Sequence, residues 1–407
     1  MSTTTDGGED FARLAEPFRR ELVAYGYRML GSVDDAEEVV QDVYLDAWRA
    51  YEGFEGRSSL RTWLYRIATR AFVKAIERRK RRPLPADLSA PAADPTTRPL
   101  AGGPELTWLQ PAPDSLLAAT TSDPATVVTA RETMRLAFIA ALQLLPPQQR
   151  GVLILREVLG WSAAEVAALL DLSVAAVNSA LQRARTHLPA DSNPLVQPSE
   201  QRQRELLERY VAAFQNADVD ELVAVLTEDA RYEMPPFLTW FQGSAAIGAF
   251  LGPRMRAFGK TPVIRTTANG QPAVALYPAT ADGQHRLHAL HVLTIASHGV
   301  GRVVAFMDID ALRGFDLPHV PSSCFGRQHE MRQSAHNVGD PRTLRGAYTV
   351  RAKRSASSSA NRAGSSSAPP SARRAVPYSN SAVSATTVSA VSLSAFFCAS
   401  RRPMTSG

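Results

Sequence analysis

The sequence predicts a multidomain chain: two all-α modules, then an α+β module, then a disordered tail. Three observations carry this. Apolar residues recur at helical spacing over residues 11–82, as in Ala36, Val40, Val43 and Ala47 or Leu60, Leu64, Ile67 and Ala71, and the pattern returns over 129–188. After a polar break at 189–199 come two amphipathic stretches, 202–215 and 219–226. The period then shortens through "DARYEMP", "PVIRTTA", "PAVALYP", "HRLHALHVLTIAS" and "GRVVAFMDI", with a short helix near 244–257. Helices packed on one curved antiparallel sheet are the expected outcome for 200–318. From 327 to 407 Ser, Ala and Arg prevail and long aliphatic stretches almost vanish, so no core is expected there.

Bulk charge is a poor guide to partners in this chain. Of 45 basic and 39 acidic residues, 12 and 2 fall from Arg327 onward, which leaves the first 326 residues at −4 rather than the overall +6. Local clustering carries more information. Arg57 to Arg82 holds ten Lys or Arg against Glu77, whereas Gly31 to Asp46 holds six acids and no base. Cys324 and Cys398 lack metal-ligand spacing, so neither a metal nor another cofactor is expected. No apolar run reaches membrane-spanning length and no signal peptide precedes residue 30. A cytoplasmic protein without a membrane partner is the expectation.

In the second module, "LPPQQRGVLILREVLGWSAAEVAALLDLSVAAVNSALQRARTHL" breaks at Gly160–Ser162 and again at Asp171–Ser173. Pro146 and Pro147 suit a helix start, Ser162 with Glu165 has capping-box spacing, and Ser173 can cap the last helix. There Val174, Val177, Leu181, Ala184 and Leu188 form the apolar stripe, opposite Ala175, Ala176, Asn178, Ser179, Gln182 and Arg183. A helix-turn-helix presents such a face to the major groove, where Asn and Gln can pair with adenine and Arg with guanine. A plain three-helix bundle with a polar outer face fits the same pattern. The stretch resembles region 4 of extracytoplasmic-function sigma factors, through its Leu-Pro-x-x-x-Arg start, Gly-aromatic-Ser turn and Ser-x-x-x-Val reader. The resemblance implies that this helix, from Ser173 through Arg183, reads the minus-thirty-five element. Many relatives carry Lys or Arg where this chain has Asn178 and Ala180, so a different promoter preference is implied.

A reader with so little charge needs phosphate contacts from elsewhere. "FEGRSSLRTWLYRIATRAFVKAIERRKRR" can supply them with Arg57, Ser58, Arg61, Arg66, Arg70 and Lys74 beside Trp63, Tyr65 and Phe72. Trp63 lies next to the apolar stripe, so a core role fits it as well. The first module is similar to region 2 of the same family, with Asp-Ala-Glu-x-x-x-Gln-Asp at 35–42 and Phe-x-Gly-x-x-x-Leu-Arg-Thr-Trp-Leu at 54–64. That resemblance implies that Asp35, Glu38, Gln41 and Asp42 dock on the beta-prime clamp of bacterial RNA polymerase core. It implies also that the loop and basic helix melt and read the minus-ten element, and that region 4 meets the beta flap.

Between the modules, 83–128 carries Asp87, Asp94, Glu105, Asp114 and Asp123 against Arg98, with many prolines, and predicts a flexible, extended linker. In the family such a connector enters the polymerase's nucleic-acid channels. Residues 200–318 resemble the SnoaL-like α+β cone, which implies an apolar pocket and a regulatory domain, one that senses a small ligand. Candidate lining residues are Tyr232, Met234, Trp240, Phe241, His288 and Asp308. Strand alternation would turn His288 and His291 to opposite sides. No catalytic residue is assigned and no enzyme activity is expected. Two other readings stay open: a helix-turn-helix regulator acting without polymerase, and a DNA-tethered SnoaL-like enzyme. The tail fits either added DNA affinity or translation past a lost stop or in a shifted frame.

Overall fold

The computed structural model describes residues 6–78, 81–96, 100, 102, 106–116, 131–188 and 198–319; the tail expected at 327–407 lies outside the described residues. The first module comprises α1 (Asp6–Ala15), α2 (Arg19–Leu30), α3 (Val33–Ala50) and α4 (Leu60–Arg78). Helix α2 stops at Gly31, whose φ of 71° suits a residue without Cβ. Ser32 then caps α3 by accepting from the Asp35 amide at 3.1 Å, and Asp34 and Asp35 occupy the first turn, where the helix dipole favours acids. Leu22, Met29, Val40, Val43, Leu64, Ala68 and Phe72 form the buried interior. Close approach of α2 to α4 depends on Gly26, since a Cβ there would lie 2.6 Å from the Phe72 ring.

The second module contains α5 (Leu136–Leu142), α6 (Pro147–Leu153), a π-helical turn at Ile154–Val158, α7 (Ala163–Leu170) and α8 (Val174–His187). Both bonds of the Ser162–Glu165 capping box form, at 2.7 and 3.2 Å. Asp171 adopts a left-handed conformation, φ 54°, that ends α7, and Ser173 caps α8 by accepting from the Ala176 amide. The two helices meet at 102°, within the range of a helix-turn-helix. Val177, Ala180, Leu181, Ala184 and Leu188 are buried. Val174, expected in that stripe, is exposed at the first position of the helix, because those five residues already fill the stripe at steps of three and four. Arg150 is buried and donates to the carbonyls of Gln143, Leu145 and Met29 and to Gln143 Oε1, tying this module to the end of α2. Burial pushes its guanidinium down to about 10, still protonated at neutral pH.

The third module comprises α9 (Glu200–Asn216), α10 (Val219–Val225), β1 (Leu226–Glu233), β2 (Trp240–Gln242), α11 (Ser244–Phe258), β3 (Val263–Ala268), β4 (Gln271–Leu276), β5 (Ala289–Ala296) and β6 (Gly299–Phe306). The sheet order is β2-β1-β6-β5-β4-β3. It is mixed rather than purely antiparallel, because β1 runs parallel to β6. Those two neighbours are separated by most of the module's chain, so no hairpin forces them antiparallel.

Alternation along the strands gives the sheet two jobs. On one face Val274, Leu276, Leu293, Val303 and Ala305 join the interior of the α+β module with Phe241, Ile247 and Phe250. On the other, Ala273, Ala275, Tyr277, Leu290, Val292, Val304 and Phe306 share one apolar core with both helical modules. The connector enters that core too: Leu84, Leu109 and Ala112 are buried. These parts of 83–128 are therefore packed rather than extended and flexible, because a leucine or alanine every few residues finds an apolar surface that composition alone could not foresee.

One side chain ties all of this together. Asn269 is buried in the β3–β4 turn at φ 57°. Its Oδ1 accepts from the Ala112 amide at 2.9 Å, and its Nδ2 donates to Tyr27 Oη and the Met134 carbonyl, both at 2.8 Å. Next to it, the Gly270 amide donates to Asp114 and the Leu136 amide donates to Gln271 Oε1.

Candidate nucleic-acid interface and ligand cavity

On α8, Ser173, Ala175, Asn178, Ser179, Gln182 and Arg183 are exposed and Ala176 half-buried, so the face proposed to read bases is presented to solvent. Arg185 is turned away from it and pairs with Glu157. Asn178 and Gln182 lie one turn apart on the same face, with Arg183 beside them.

The basic helix α4 is differently placed. Arg66 Nη2 lies 2.9 Å from Asp171 Oδ1, and Arg70 pairs with the other oxygen of the same carboxylate. Arg61 is held by Glu21 at 2.6 Å and lies over the rings of Tyr65 and Trp161, at 5.1 and 5.5 Å from their centroids. Tyr65 and Trp161 themselves pack at 5.2 Å. The basic face of α4 is thus closed against the turn that leads into α8. Arg57 pairs with Glu55 at 2.8 Å, while Ser58 and Lys74 are exposed. Trp63 is half-buried against Phe54 and Tyr51, at ring separations of 4.9 and 6.5 Å, a packed position at the edge of the loop.

Along α3, Glu38, Gln41 and Asp42 are exposed. Asp35 is not presented with them: its carboxylate accepts from Arg82 at 2.5 Å, because it sits in the first turn facing the returning end of the basic segment. Beside Gln41, Leu45 and Trp48 remain 46% and 53% exposed, an apolar strip next to the acidic face of the helix. They edge a groove with Phe11 and Tyr44.

The α+β module encloses a cavity of about 330 Å³. Tyr232, Met234 and His288 line it as expected, but Trp240, Phe241 and Asp308 do not. Trp240 turns its Nε1 to the Ser89 carbonyl of the connector, Phe241 is stacked on Phe250 at 4.2 Å, and Asp308 is exposed and accepts from the Asp310 amide. His291, expected to face away from His288, lines the same cavity. His288 precedes β5, which begins at Ala289, so strand alternation does not govern it; within β5, Ala289 and His291 face inward and Leu290 outward. No carboxylate is found among the described lining residues.

His291 is 2% exposed, with Nδ1 2.9 Å from Tyr210 Oη and Nε2 3.3 Å from Tyr232 Oη. A neutral imidazole has one donor and one acceptor nitrogen, which these two hydroxyls can satisfy. Burial, aided by nearby His288, pushes its pKa from 6.5 to about 3, and burial lowers His288 as well. A folded pKa below the unfolded one means that the stabilisation is complete above about 6.5 and is lost as pH falls toward 3. Between pH 6.5 and 5 His291 alone is expected to remove about 2 kcal/mol, at ~1.4 kcal/mol per unit. Urea unfolding at pH 7.5 and 5 checks this. The His291→Phe variant should be weaker at neutral pH but lose less on acidification, and an equal acid loss would contradict the assignment.

Sequence reasoning missed Asp171, Asn269, His291 and the Leu45–Trp48 strip. "LLDLS" marks a turn and "ANGQ" a hairpin, but the partners of Asp171 and Asn269 are over 100 residues away, and those of His291, Tyr210 and Tyr232, are 81 and 59 away, so none leaves a local signal.

Family models for sigma-70 region 2, sigma-70 region 4 and the SnoaL-like domain match residues 14–82, 135–188 and 207–310. The chain is 48% identical over 315 residues to the ECF RNA polymerase sigma factor SigG of Mycobacterium tuberculosis, covering 76% of this chain and 84% of that one. It is 30% identical over 162 residues to the ECF RNA polymerase sigma-E factor of Escherichia coli, covering 40% and 76%. In fold it is similar to the crystal structure of the extracytoplasmic-function sigma factor SigJ of Mycobacterium tuberculosis, with a TM-score of 0.51, 21% identity and coverage of 76% and 99%. Two helical modules in this order, the α+β module behind them and these likenesses together establish that the chain belongs to the extracytoplasmic-function sigma factors of RNA polymerase and carries a SnoaL-like domain.

Proposed function

We propose that the protein directs bacterial RNA polymerase core to a set of promoters whose minus-ten and minus-thirty-five elements its two helical modules read. In this reading α3 docks on the polymerase clamp through Glu38, Gln41 and Asp42, with Leu45 and Trp48 as the apolar part of the same contact. Arg57, Ser58, Arg61, Arg66, Arg70 and Lys74 follow and read the minus-ten strand, Trp63 supports that loop, and the outer face of α8 reads the minus-thirty-five duplex. The SnoaL-like domain tunes this activity without catalysis of its own. The protein works in the cytoplasm, where polymerase and chromosome are.

The observation that carries the reading is the order and spacing of two DNA-suited surfaces on one chain, one poor in charge and one rich. The pairing of Arg66 and Arg70 with Asp171 supports a resting state in which two arginines of the minus-ten surface are held by a carboxylate. Opening separates α4 from the α7–α8 turn and frees both arginines for phosphates. Promoter choice tests the assignment of α8. In transcription with purified core polymerase, Asn178→Ala or Gln182→Ala should change preference among minus-thirty-five variants by about tenfold, as one bidentate base contact is worth ~1–3 kcal/mol. Their salt dependence should stay as in the parent, since neither contacts phosphate by charge. Unchanged promoter preference would show that another face of α8 meets DNA.

A further inference from the structure

Among the described residues that line the cavity of the SnoaL-like domain, the polar side chains are either engaged or uncharged. His291 and Tyr232 bond each other, and the second ring nitrogen of His291 meets Tyr210. Arg254, the one charged residue among them, donates to the Phe250 carbonyl at 2.6 Å, and its guanidinium carbon lies 3.6 Å from the centre of the Phe250 ring. Thr261 donates to the Gly259 carbonyl at 3.2 Å. His288, at the more exposed rim, meets the Phe258 ring at 5.6 Å between centroids, and burial keeps its imidazole neutral at neutral pH.

The rest of the wall is apolar, with Phe214, Met234, Phe250 and Ala305. A charge of either sign placed inside loses its hydration and gains no free partner, so the wall selects against ions. Hydrocarbon gains from the same move. Such a wall also gives enclosed water few of the ~2–4 hydrogen bonds that hold it. An apolar cavity of roughly 150 Å³ holds benzene, so this one, at about 330 Å³, takes a body about twice that size.

The wall is not made by the cone alone. Leu100, from the connector between regions 2 and 4, is one of the lining residues and packs on the cone's core. A second link runs through β1. Tyr232 and Met234 face the cavity, while Glu233 between them faces the other way, fully buried, and holds the connector: its Oε2 accepts from the Ala86 amide at 3.0 Å and its Oε1 pairs with Arg302 at 2.6 Å. Further along, the Ala92 amide donates to the Trp240 carbonyl at 2.8 Å and Ser89 Oγ to the Leu238 carbonyl at 3.0 Å. The connector and the cavity are therefore two sides of one short stretch of backbone.

We propose that this cavity is a receptor site for an uncharged, largely hydrocarbon molecule, and that the connector between regions 2 and 4 senses its occupancy. The proposal rests on the reading of the SnoaL-like domain as a regulator and supplies its ligand class and its route. A ligand shifts an equilibrium only through its different affinity for the two states. Leu100 supplies that difference: with the connector docked it closes part of the wall and touches the ligand, and with the connector lifted away that contact is gone. Occupancy thus favours the docked connector. By reciprocity, loosening the connector weakens the ligand by the same factor.

The test uses the full chain and needs no polymerase, so its failure is separate from failure of the transcription reading. 1-Hexanol, 1-heptanol and 1-octanol are titrated by calorimetry beside octanoate and octylammonium, and amide exchange of the 84–92 peptide is followed by mass spectrometry with and without octanol. The alcohols should bind saturably, each added methylene tightening binding about fourfold. Both charged probes should bind more weakly than octanol, since neither finds a free counter-charge. Ala305→Leu and Ala289→Leu, which fill the cavity from β6 and β5, should each weaken octanol by about tenfold through the apolar area they remove from it. Octanol should slow exchange in 84–92 severalfold, and Leu100→Ala should reduce both the affinity and the slowing. No saturable octanol binding to a chain that melts normally overturns the proposal. So does a charged probe that binds more tightly than octanol, octanol binding that both filled variants leave unchanged, or bound octanol that leaves 84–92 exchange unaltered.

Discussion

Replacing Asn269 with glycine is expected to lower the stability of the chain by about 3 kcal/mol and to split one unfolding transition into two. Glycine accepts the left-handed backbone, φ 57°, at this turn, so the variant tests the side chain alone. What disappears is one accepted and two donated hydrogen bonds, to the Ala112 amide, Tyr27 Oη and the Met134 carbonyl. Tyr27 Oη keeps its bond to the Gln110 carbonyl, but the Ala112 amide and Met134 carbonyl lose their side-chain partner in a buried place. Each such group costs ~1–3 kcal/mol. The three partners belong to region 2, the connector and the approach to region 4, so the loss falls on the junction rather than on one domain. Calorimetry should show the SnoaL-like domain and the helical modules melting apart. A single transition with unchanged midpoint would mean that the apolar face of the sheet alone holds the modules together.

Neutralising Asp171 should have the opposite character, with little change in stability and a large change in DNA binding. Asn suits the left-handed conformation that Asp171 adopts, and the pairs with Arg66 and Arg70 are about half exposed, so Asp171→Asn is expected to shift stability by less than ~1 kcal/mol. For nucleic acid the arithmetic differs. Two arginines held by a carboxylate become available for phosphates, and each phosphate contact on a single strand adds ~0.7 to the slope of log affinity against log salt. The slope for a minus-ten strand should steepen by about 1, with affinity at low salt rising about tenfold. Titrations at several salt concentrations measure it directly. An unchanged slope would show that Arg66 and Arg70 reach DNA in spite of Asp171, or never reach it.

Sequence and structure part company at contacts such as those of Asn269 and Asp171, which join segments far apart in the chain. Helices, caps and the helix-turn-helix were legible because their signals are local: Ser162 with Glu165, Ser173, and apolar residues at steps of three and four. The outer face of α8 followed from the same periodicity. The cone's existence was readable from alternating stretches, yet β2 spans only Trp240–Gln242 and gives no period to detect. Parallel pairing of β1 with β6 depends on topology rather than on either strand's residues. Cavity residues were legible only in part. Trp240 and Phe241 are aromatic and suit a pocket wall, but a three-residue strand at a sheet edge sends them to the connector and to Phe250 instead. His291 was recoverable from alternation once the start of β5 was known. The packed connector was hidden because its prolines and acids describe solvation, while Leu84, Leu109 and Ala112 gain their meaning from the surface they meet.

If the two helical modules act together as promoter readers for polymerase, the chain must create new start sites. Transcription from a library of genomic fragments, using purified bacterial core polymerase with and without the full chain, tests it most directly. Initiation is expected at a limited set of sites that core polymerase alone does not use, each with an upstream minus-thirty-five and minus-ten pair at constant spacing. A properly folded chain that binds duplex DNA alone yet adds no initiation site to core polymerase would contradict it.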